Sequence, residues 1–552
     1  MGDMVRGARI RVGASVSSIA LAALTLSVIL FNLVAAFHGN IWFDESYSMA
    51  LASHALPEII AIGATDVHPV LYYVMLRIIY LVFGPSVLAM RLFSVCGMVA
   101  CVLLGWGVVR KDYGNVAAAL FVALVSISPW AAAEAVDIRM YSWAAFLTGL
   151  SFLYSMRIVR VLLPLEVRPD AAEAAVPRRW WVVAFAAALA AAYTHYFAAI
   201  ASFMSMSLVL ASAWLHARPG SSSAVDRAPL RFFWRGVGLC LLGYLPWIIV
   251  VIGQTAMVSR GFWIKLDFPN ALLTLCTFPF TSEVTVDLME GDGGGALACV
   301  CWAGAALAAA CLLRAATCAW RSRAASPRMS GAMQDRLARA LGSAVVQGVF
   351  VFFGTALLTL VVGLLLGQPI FMTRYMVCAL IPLSVSIAVL LARANKMWVP
   401  AGFAVGLILV STGVQVRSCQ IAYDERNVEP VAYYDQVTLD GDQGRLPVVA
   451  GRNLFGDIQA VGPLSVLVPE AKIEYLDAWL AYDAFTPTVT FLEHGSEALD
   501  GYVGRFVYLA GRLNESDIEQ LEDEVGASVV SSRVFERPYR DTCWTIVLME
   551  RR

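Results

Sequence analysis

The sequence predicts an all-α polytopic membrane protein that carries a small α/β domain at its C-terminal end. Hydrophobic residues make up 59% of the 552 residues and charged residues only 15%, whereas soluble domains carry about 25% charged residues. Eleven long stretches contain no charged residue, and beyond residue 416 the chain changes to short β-rich segments. These observations exclude a soluble protein as the main architecture.

The uncharged stretches predict the membrane helices. Each approaches the roughly 20 residues that a helix needs to cross the hydrocarbon core. They lie near 14–37, 92–109, 116–133, 141–156, 181–194, 197–215, 236–252, 296–313, 340–366, 375–391 and 397–416. We therefore expect residues 1–416 to form a transmembrane domain with about eleven helices.

The first stretch follows Arg6, Arg9 and Arg11. It is too long for the hydrophobic region of a signal peptide, so we expect a retained signal-anchor helix. Because small residues end the stretch, a cleaved signal stays open as the alternative.

The distribution of basic residues predicts the orientation. With a cytoplasmic N-terminus, the inner loops collect 22 Lys and Arg residues. The outer segments before the tail hold six, namely Arg77, Arg91, Arg139, Arg260, Lys265 and Arg374. Since inner loops carry the excess of basic residues, we expect the protein to lie in the cell or plasma membrane with its tail on the extracytoplasmic side.

Residues 68–83 are apolar but are not predicted to cross the membrane. Counting them as a crossing would place Arg110 and Lys111 outside. We therefore expect an amphipathic helix along the outer interface, within an outer loop of residues 38–91, with Arg77 on its polar side.

Residues 417–552 have a different composition, with 12 Lys and Arg against 23 Asp and Glu. Five short runs predict strands, namely LPVVA, TVTFLE, RFVYLAG, ASVVSSRVF and CWTIVLME. A polar helix is expected around 514–525, with a capping box formed by Ser516 and Glu519. The tail should be an extracytoplasmic α/β domain, in which Cys419 and Cys543 are expected to pair.

Three classes of function are disfavoured by what the sequence lacks. The eleven cysteines form no C-x-x-C pair, so neither a zinc site nor a redox motif is indicated. No basic patch interleaved with aromatic residues suggests nucleic acid. None of the predicted spans has a charged residue at its centre, where ion-coupled transporters usually need one. The polar chemistry gathers in the outer segments, which predicts a site at the membrane interface.

The first outer loop, residues 38–67, has no Lys or Arg but contains Asp44, Glu45, Glu58 and Asp66. Asp44 and Glu45 follow the aromatic pair Trp42–Phe43, which suits the headgroup level. A carboxylate held there is able to accept a proton from an attacking hydroxyl. A solvated acidic pair is the alternative interpretation.

Six short motifs occur in order between residues 43 and 376. They are FDESYS (43–48), DVHPVLYY (66–73), AMRLFS (89–94), EAVDIRMYS (134–142), YTHYF (193–197) and FMTRYM (371–376). The ordered set resembles the GT-C superfamily of membrane glycosyltransferases, in its protein O-mannosyltransferase and aminoarabinose-transferase-like branch (glycosyltransferase family 39-like). The resemblance implies eleven to thirteen helices, an outer active site and a polyprenyl-phosphate sugar donor. Val70 departs from the family's H-P-P, which has a second proline there.

The resemblance implies roles for four acidic or imidazole side chains of the first loop. Asp44 matches the family's catalytic acidic residue, which implies that it acts as the general base. Glu45 matches the second acidic residue of the family, which implies that it positions the acceptor; a solvated side chain is the alternative. Asp66 and His68 would hold a divalent cation together with Asp44, or would fix the loop by a hydrogen bond between them. A cation is therefore a conditional expectation, and no other cofactor is implied.

The remaining candidates would contact the donor. A phosphate leaving group gains negative charge, which arginine or lysine stabilises. The candidates are Arg374 with its neighbour Tyr375, Arg139, Arg91 and Lys265, each with helix-end anchoring as the alternative.

Three further candidates lie in two of the motifs. Glu134 would contact the ligand or pair with Arg139. Tyr141 and His195 would line the donor site or pack in an aromatic belt.

Together these observations predict a membrane glycosyltransferase. It would move a sugar to an acceptor hydroxyl of a protein, lipid or glycan on the outer face. The resemblance implies that the donor is a polyprenyl-phosphate sugar and that the transfer proceeds with inversion. A lipid-linked glycan flippase or exporter is the alternative. It would be favoured by a charged midplane cavity or two symmetric halves, and the sequence indicates neither. A membrane receptor would explain the acidic tail but not the ordered motifs.

Overall fold

A computed structural model describes residues 14–164, 175–217, 227–261, 263–290, 295–325, 333–438, 445–478, 482–492 and 501–552. Arg6, Arg9 and Arg11, and parts of the inner loops expected at 157–179, 218–235 and 314–339, lie outside these residues. The chain forms two compact units. Unit 1 comprises 1–34, 63–72 and 94–417, and unit 2 comprises 35–62, 73–93 and 418–552.

Most of the chain is α-helical. The α-helices, numbered in chain order, are α1 Ala14–Ala36, α2 Phe43–Ser53, α3 Leu56–Thr65, α4 Leu71–Phe83, α5 Val87–Leu104, α6 Arg110–Tyr113, α7 Asn115–Ile127, α8 Pro129–Val136, α9 Tyr141–Leu162, α10 Arg178–Thr194, α11 Tyr196–His216, α12 Ala228–Arg260, α13 Phe268–Thr277, α14 Glu283–Glu290, α15 Gly295–Ala325, α16 Met333–Leu341, α17 Ala344–Leu366, α18 Leu380–Ala392, α19 Trp398–Ala422, α20 Glu429–Thr438, α21 Ile458–Leu467 and α22 Glu515–Val525. A π-helix, Gly105–Val109, joins α5 to α6, and a 3₁₀-helix, Thr373–Ala379, leads into α18.

The helices confirm an α-helical, polytopic integral membrane protein. Within the described ranges, eight helices are long and apolar enough to cross a membrane. A ninth span results if α7 and α8, which meet at a bend of 57°, count as one. The bend falls at Pro129, the first residue of α8, after Ser128 in an extended conformation, as expected for a residue before proline. The other two predicted crossings coincide with α1 (23 residues) and α10 (17 residues).

The helix expected at 68–83 begins three residues later, at Leu71. The physical reason is Pro69, because the residue before a proline is disfavoured in helical conformation. Asp66 and His68 therefore lie in the short connection between α3 and α4 and not on a helix.

Unit 1 is held together by close helix packing. Its core is built mainly from α5, α7 to α9, α11, α17 and α18. A Cβ added at Gly348 of α17 would lie 2.1 Å from the carbonyl oxygen of Pro382 in α18. Only glycine permits this approach of two backbones, as is common between membrane helices.

Unit 2 contains a mixed six-stranded sheet. Its strands are β1 Val448–Gly451, β2 Ile473–Leu476, β3 Val489–Phe491, β4 Gly504–Ala510, β5 Ser528–Arg537 and β6 Thr542–Arg551. Their spatial order is β3-β2-β1-β4-β6-β5. The neighbours from β3 to β4 pair in parallel, and β6 pairs antiparallel with β4 and β5. The α/β character of the tail is confirmed, although the sequence interpretation missed β2, a strand of four residues.

Two expectations for the tail are wrong. The capping box of α22 is formed by Asn514 and Asp517, because the helix begins two residues earlier than Ser516 would require. Cys419 and Cys543 are both free thiols, so they do not pair in this structure.

The predicted boundary after residue 416 and the structural units differ in one respect. Unit 2 includes not only the tail but also residues 35–62 and 73–93, which the sequence interpretation assigned to the transmembrane domain. Most of the first outer loop (residues 38–62) and the tail are therefore parts of one compact unit.

Candidate functional site

Helix α2 of unit 2 carries the acidic pair. It begins at Phe43 after Trp42, which has extended backbone angles, and places Asp44 and Glu45 in its first turn. Acidic side chains are favoured there because the N-terminal end of a helix carries partial positive charge. Asp44 is partly exposed, whereas Glu45 is buried. The two neighbouring carboxylates thus lie in different environments.

Glu45 forms a buried ion pair with Arg91. The guanidinium donates from Nε to Oε1 at 2.9 Å and from Nη2 to Oε2 at 2.8 Å. Neither side chain has exposed surface. Arg91 also donates to the carbonyl oxygens of His38 and Asn40. Of the five hydrogen bonds that a guanidinium can donate, two therefore hold Glu45 of α2 and two hold the loop that precedes α2.

Residues of the tail complete this arrangement within unit 2. The Tyr539 hydroxyl donates a hydrogen bond to Glu45 Oε2 at 3.4 Å. Arg537 donates to the carbonyl oxygens of Ile41 at 3.4 Å and Asn427 at 3.2 Å. Burial lowers the pKa of Arg537 to about 10. Sequence reasoning missed Arg537 and Tyr539, because no motif connects R-P-Y in the tail with the first loop.

The other end of α2 is held by Arg77 of α4. Its Nη1 atom donates to the carbonyl oxygens of Ala52 at 3.2 Å and Ser53 at 2.8 Å. A basic side chain is favourable there, because the last carbonyl groups of a helix have no partner within the helix.

Unit 1 contains a second group of candidates, which we call the buried polar cluster: His68, Arg139, Tyr141, His195, Arg374 and Tyr375. Its members come from the connection after α3, the turn before α9, the α10–α11 junction and the 3₁₀-helix at 373–379. The His195 ring lies 5.1 Å from that of Tyr375, 5.7 Å from Tyr141 and 5.8 Å from His68. The rings of Tyr141 and Tyr375 stack at 6.1 Å.

The hydrogen bond from Arg139 indicates the tautomer of His68. Arg139 Nη2 donates to His68 Nε2 at 3.4 Å, and His68 Nδ1 lies 3.4 Å from Asp66 Oδ2. The neutral ring would therefore carry its proton on Nδ1, towards Asp66. In this arrangement Asp66 lies beside Nδ1 of His68, and Nε2 of His68 accepts a hydrogen bond from Arg139.

His195 presents the opposite tautomer. Its Nδ1 atom accepts from the backbone N–H of Phe197 at 3.1 Å, as the N-cap of α11. A neutral ring then carries its proton on Nε2. This atom is buried without a hydrogen-bond partner, as is the hydroxyl of Tyr141. Because buried polar groups are normally satisfied, these two groups are suited to bind a ligand.

Two arginines give the cluster its charge. Arg139 is 3% exposed and Arg374 is 7% exposed. Arg374 lies 3.8 Å from Glu283 Oε1 of α14 and stands over the ring of Tyr375 at 5.9 Å. Glu134, at the end of α8, is also buried. Glu283 was missed by sequence reasoning, since nothing near it matches a motif.

Lys265 and the cation hypothesis receive no structural support. Lys265 is exposed, in the segment between α12 and α13. In the described part of the chain, no group of three or more His, Cys, Asp or Glu side chains is arranged to hold a metal ion. Asp44, Asp66 and His68 thus form no such group.

The fold is similar to that of a solved membrane protein, ArnT. The apo structure of ArnT from Cupriavidus metallidurans has a TM-score of 0.54 and 14% identity, over 97% of this chain and 98% of its own. The structure of the same ArnT bound to undecaprenyl phosphate has a TM-score of 0.52 and 13% identity over the same shares. The chain has the fold of ArnT.

The resemblance seen in the motifs therefore agrees with the likeness of fold to ArnT, which extends over nearly the full length of the chain. At such low identity the likeness to ArnT establishes the fold alone. AglB, an oligosaccharyltransferase from Archaeoglobus fulgidus, has a TM-score of 0.39 and 13% identity over 78% of this chain and 62% of its own. That score supports no argument. No protein-family model and no curated protein matches the sequence.

Proposed function

We propose that the chain is a membrane glycosyltransferase that takes a sugar from a polyprenyl-phosphate donor. One observation carries the proposal. Four of the motifs contribute to one buried polar cluster, through His68, Arg139, His195 and Arg374. The first and the last of these residues are more than 300 positions apart in the sequence. A solved structure with the same fold was obtained with undecaprenyl phosphate bound.

The cluster has the chemistry to bind a lipid-linked phosphate. Arg374 and Arg139 supply positive charge in a buried environment, where charge-assisted hydrogen bonds are strong. The Tyr141 hydroxyl and the Nε2–H of His195 supply neutral donors. Tyr375, between Arg374 and His195, fixes both by ring contacts. We assign donor binding to these residues.

Asp44 is assigned the role of general base. The acceptor hydroxyl gives its proton to the Asp44 carboxylate as its oxygen bonds to the anomeric carbon. The bond between that carbon and the phosphate oxygen breaks, and the electron pair leaves with the polyprenyl phosphate. The attack on the face opposite the leaving group inverts the anomeric configuration. A positioned base typically contributes about 10²–10⁴ in rate.

The geometry suggests structural roles for two earlier candidates. Glu45 and Arg91 are engaged with each other in a fully buried pair, so we propose that they hold α2 and do not bind substrate. We assign to Asp66 the role of orienting the His68 ring. Glu134 lies beside the cluster and remains a candidate for contact with the substrate. Lys265, which is exposed, is not included among the proposed substrate-binding residues.

We further propose that catalysis takes place on the outer face, with the N-terminus in the cytoplasm and the tail outside. The excess of basic residues in the inner loops supports this orientation. Introduced thiols at Ser516 and Lys111, in a background without reactive native thiols, test it. An impermeant reagent added to intact cells should label position 516 and not position 111. The reverse pattern would contradict the orientation.

The test of activity uses the full-length protein in nanodiscs with a panel of undecaprenyl-phosphate-linked hexoses and pentoses. We expect release of undecaprenyl phosphate and appearance of the sugar on an acceptor from a native envelope extract. The same lipids in sealed vesicles distinguish the alternative. Movement of the intact lipid across the bilayer without release of sugar would favour a flippase and contradict the transferase.

A further inference from the structure

We infer that the C-terminal domain positions helix α2, and with it Asp44, and that Gly462 of α21 is the positioning residue. The inference rests on the proposed function, because it assigns a catalytic role to Asp44. It gives the tail a part in turnover instead of a separate binding role.

Helix α2 depends on its surroundings for its position. It has only 11 residues, and isolated helices of that length are marginal in water. Its eight residues from Glu45 to Ala52 are all buried. The orientation of the helix, and therefore of its first turn, is thus determined by the groups packed around it.

Helix α21 packs directly against α2 at a glycine. A Cβ added at Gly462 would lie 2.9 Å from Ser46 Oγ, 3.0 Å from Phe485 Cζ and 3.1 Å from Phe43 Cδ2. Phe43 and Ser46 stand on either side of Asp44 and Glu45 in the sequence. A methyl group at position 462 would therefore press on the side chains of Phe43 and Ser46 in the first turn of α2, and these must give way by a few tenths of an ångström.

Aromatic residues of the same domain hold the helix along its length. The Phe43 ring lies 5.4 Å from Tyr482 and 5.9 Å from Phe485. Tyr47, one turn further along, contacts the same two rings at 6.4 Å and 6.0 Å.

At the end of α2, His54 Nε2 lies 2.9 Å from the carbonyl oxygen of Ala484. Residues 482–485 of the tail therefore contact both ends of α2, and Gly462 packs against its first turn.

This arrangement predicts a separation between turnover and donor binding. The donor residues belong to unit 1, whereas Gly462, its neighbours and Asp44 belong to unit 2. A small displacement of a catalytic group costs rate steeply, about 10²-fold for an error of 1 Å. A change at Gly462 should thus lower kcat and leave donor affinity unchanged.

The experiment compares full-length variants in nanodiscs, with undecaprenyl phosphate as the binding probe and sugar transfer as the rate. Gly462→Ala should lower kcat about 10-fold or more at unchanged Kd for undecaprenyl phosphate. Gly39→Ala is the matched control, because Gly39 belongs to unit 2 and has open space around its added Cβ. It should behave as the wild type.

Rescue distinguishes positioning from general damage to the tail. Ser46→Ala removes the atom nearest to the added methyl group, so the double variant should recover most of the lost kcat. Normal kcat in Gly462→Ala, or a loss that Ser46→Ala does not relieve, would overturn the inference.

A second variant covers the case in which Gly462→Ala does not fold. Tyr482→Leu removes the ring that contacts both Phe43 and Tyr47, and should likewise lower kcat at unchanged Kd. Normal kcat in that variant would also overturn the inference. A wild-type protein that transfers no sugar would contradict the proposed function itself, whereas an active wild type with an equally active Gly462→Ala contradicts only the role of Gly462.

Discussion

Arg91 and Glu45 form a bidentate ion pair in which neither side chain has exposed surface. Removing one partner leaves the other charge buried and uncompensated, which costs about 3–5 kcal/mol. We expect Glu45→Ala to lower the free energy of unfolding by that amount, measured by denaturant titration in detergent. The double variant Glu45→Leu/Arg91→Met, which removes both charges, should lose less. A single variant as stable as the wild type would show that the pair does not form.

Asp44→Asn tests the general base. The amide keeps the size of the side chain but cannot accept the proton, so single-turnover transfer should fall about 10²-fold or more. Binding of undecaprenyl phosphate should be unchanged. Glu58→Gln is the matched control, because Glu58 is a largely exposed carboxylate of the same loop. Transfer at a near-normal rate in Asp44→Asn would remove Asp44 from the mechanism.

Arg374→Ala tests the phosphate site. Loss of a charge-assisted hydrogen bond of about 1.5–3 kcal/mol should weaken undecaprenyl phosphate binding roughly 10- to 100-fold. Turnover should fall as well. Arg260→Ala serves for comparison, since Arg260 is an exposed basic residue at the end of α12. Equal affinities for the two variants would move the phosphate site away from Arg374.

The hydroxyl of Tyr141 allows binding to be separated from stability. It has no hydrogen-bond partner, so Tyr141→Phe should not reduce the thermal unfolding midpoint but should weaken undecaprenyl phosphate binding. Tyr508→Phe should do the opposite. The Tyr508 hydroxyl donates to the carbonyl oxygen of Leu454 at 2.7 Å, and its loss should cost about 1 kcal/mol of stability. Unchanged affinity in Tyr141→Phe would exclude its hydroxyl from the donor site.

His38 should make stability depend on pH. Burial, and then the charges of Arg91 and Arg540, lower the pKa of His38 from 6.5 to about 2. Between these values the unfolded chain binds a proton at this residue that the folded chain does not. Stability is therefore unaffected by this group above pH 6.5 and falls as the pH decreases below it, by about 1.4 kcal/mol per unit.

The corresponding variant is His38→Phe, which keeps a ring beside Tyr423 and Tyr539. Thermal unfolding at pH 8 and pH 5 should show a loss of about 2 kcal/mol for the wild type and a smaller loss for the variant. Equal losses in both would contradict the buried neutral state of His38.

The sequence predicted most helices and strands because their signals are local. Uncharged stretches locate spans such as Tyr141–Leu162, and β-rich runs locate strands such as Gly504–Ala510. β2 was missed because Glu474 interrupts its apolar residues and Lys472 and Asp477 flank them. The capping box at Asn514 was misplaced by two residues, since several polar residues around a helix start suit the motif equally well.

The partners of the site residues were much harder to predict. Arg91 was a candidate for phosphate binding because it is a basic residue of an outer segment, and its contact with Glu45 joins residues 46 apart. The same holds for Arg374 with Glu283 and for Gly462 with Ser46. Such pairs follow from the mutual arrangement of elements, which a single sequence does not specify.

Unit 2 is assembled from chain segments far apart in the sequence, and this determines when its contacts can form during synthesis. Asn40 donates to the carbonyl oxygen of Ala422, and Glu45 accepts from Tyr539, 494 residues further along the chain. At about 5–20 residues per second, the ribosome needs roughly 25–100 s to deliver that partner. During this interval the first loop lacks the residues that later surround it. Helix α2 is therefore among the last parts of the protein to mature, although it is among the first to leave the ribosome.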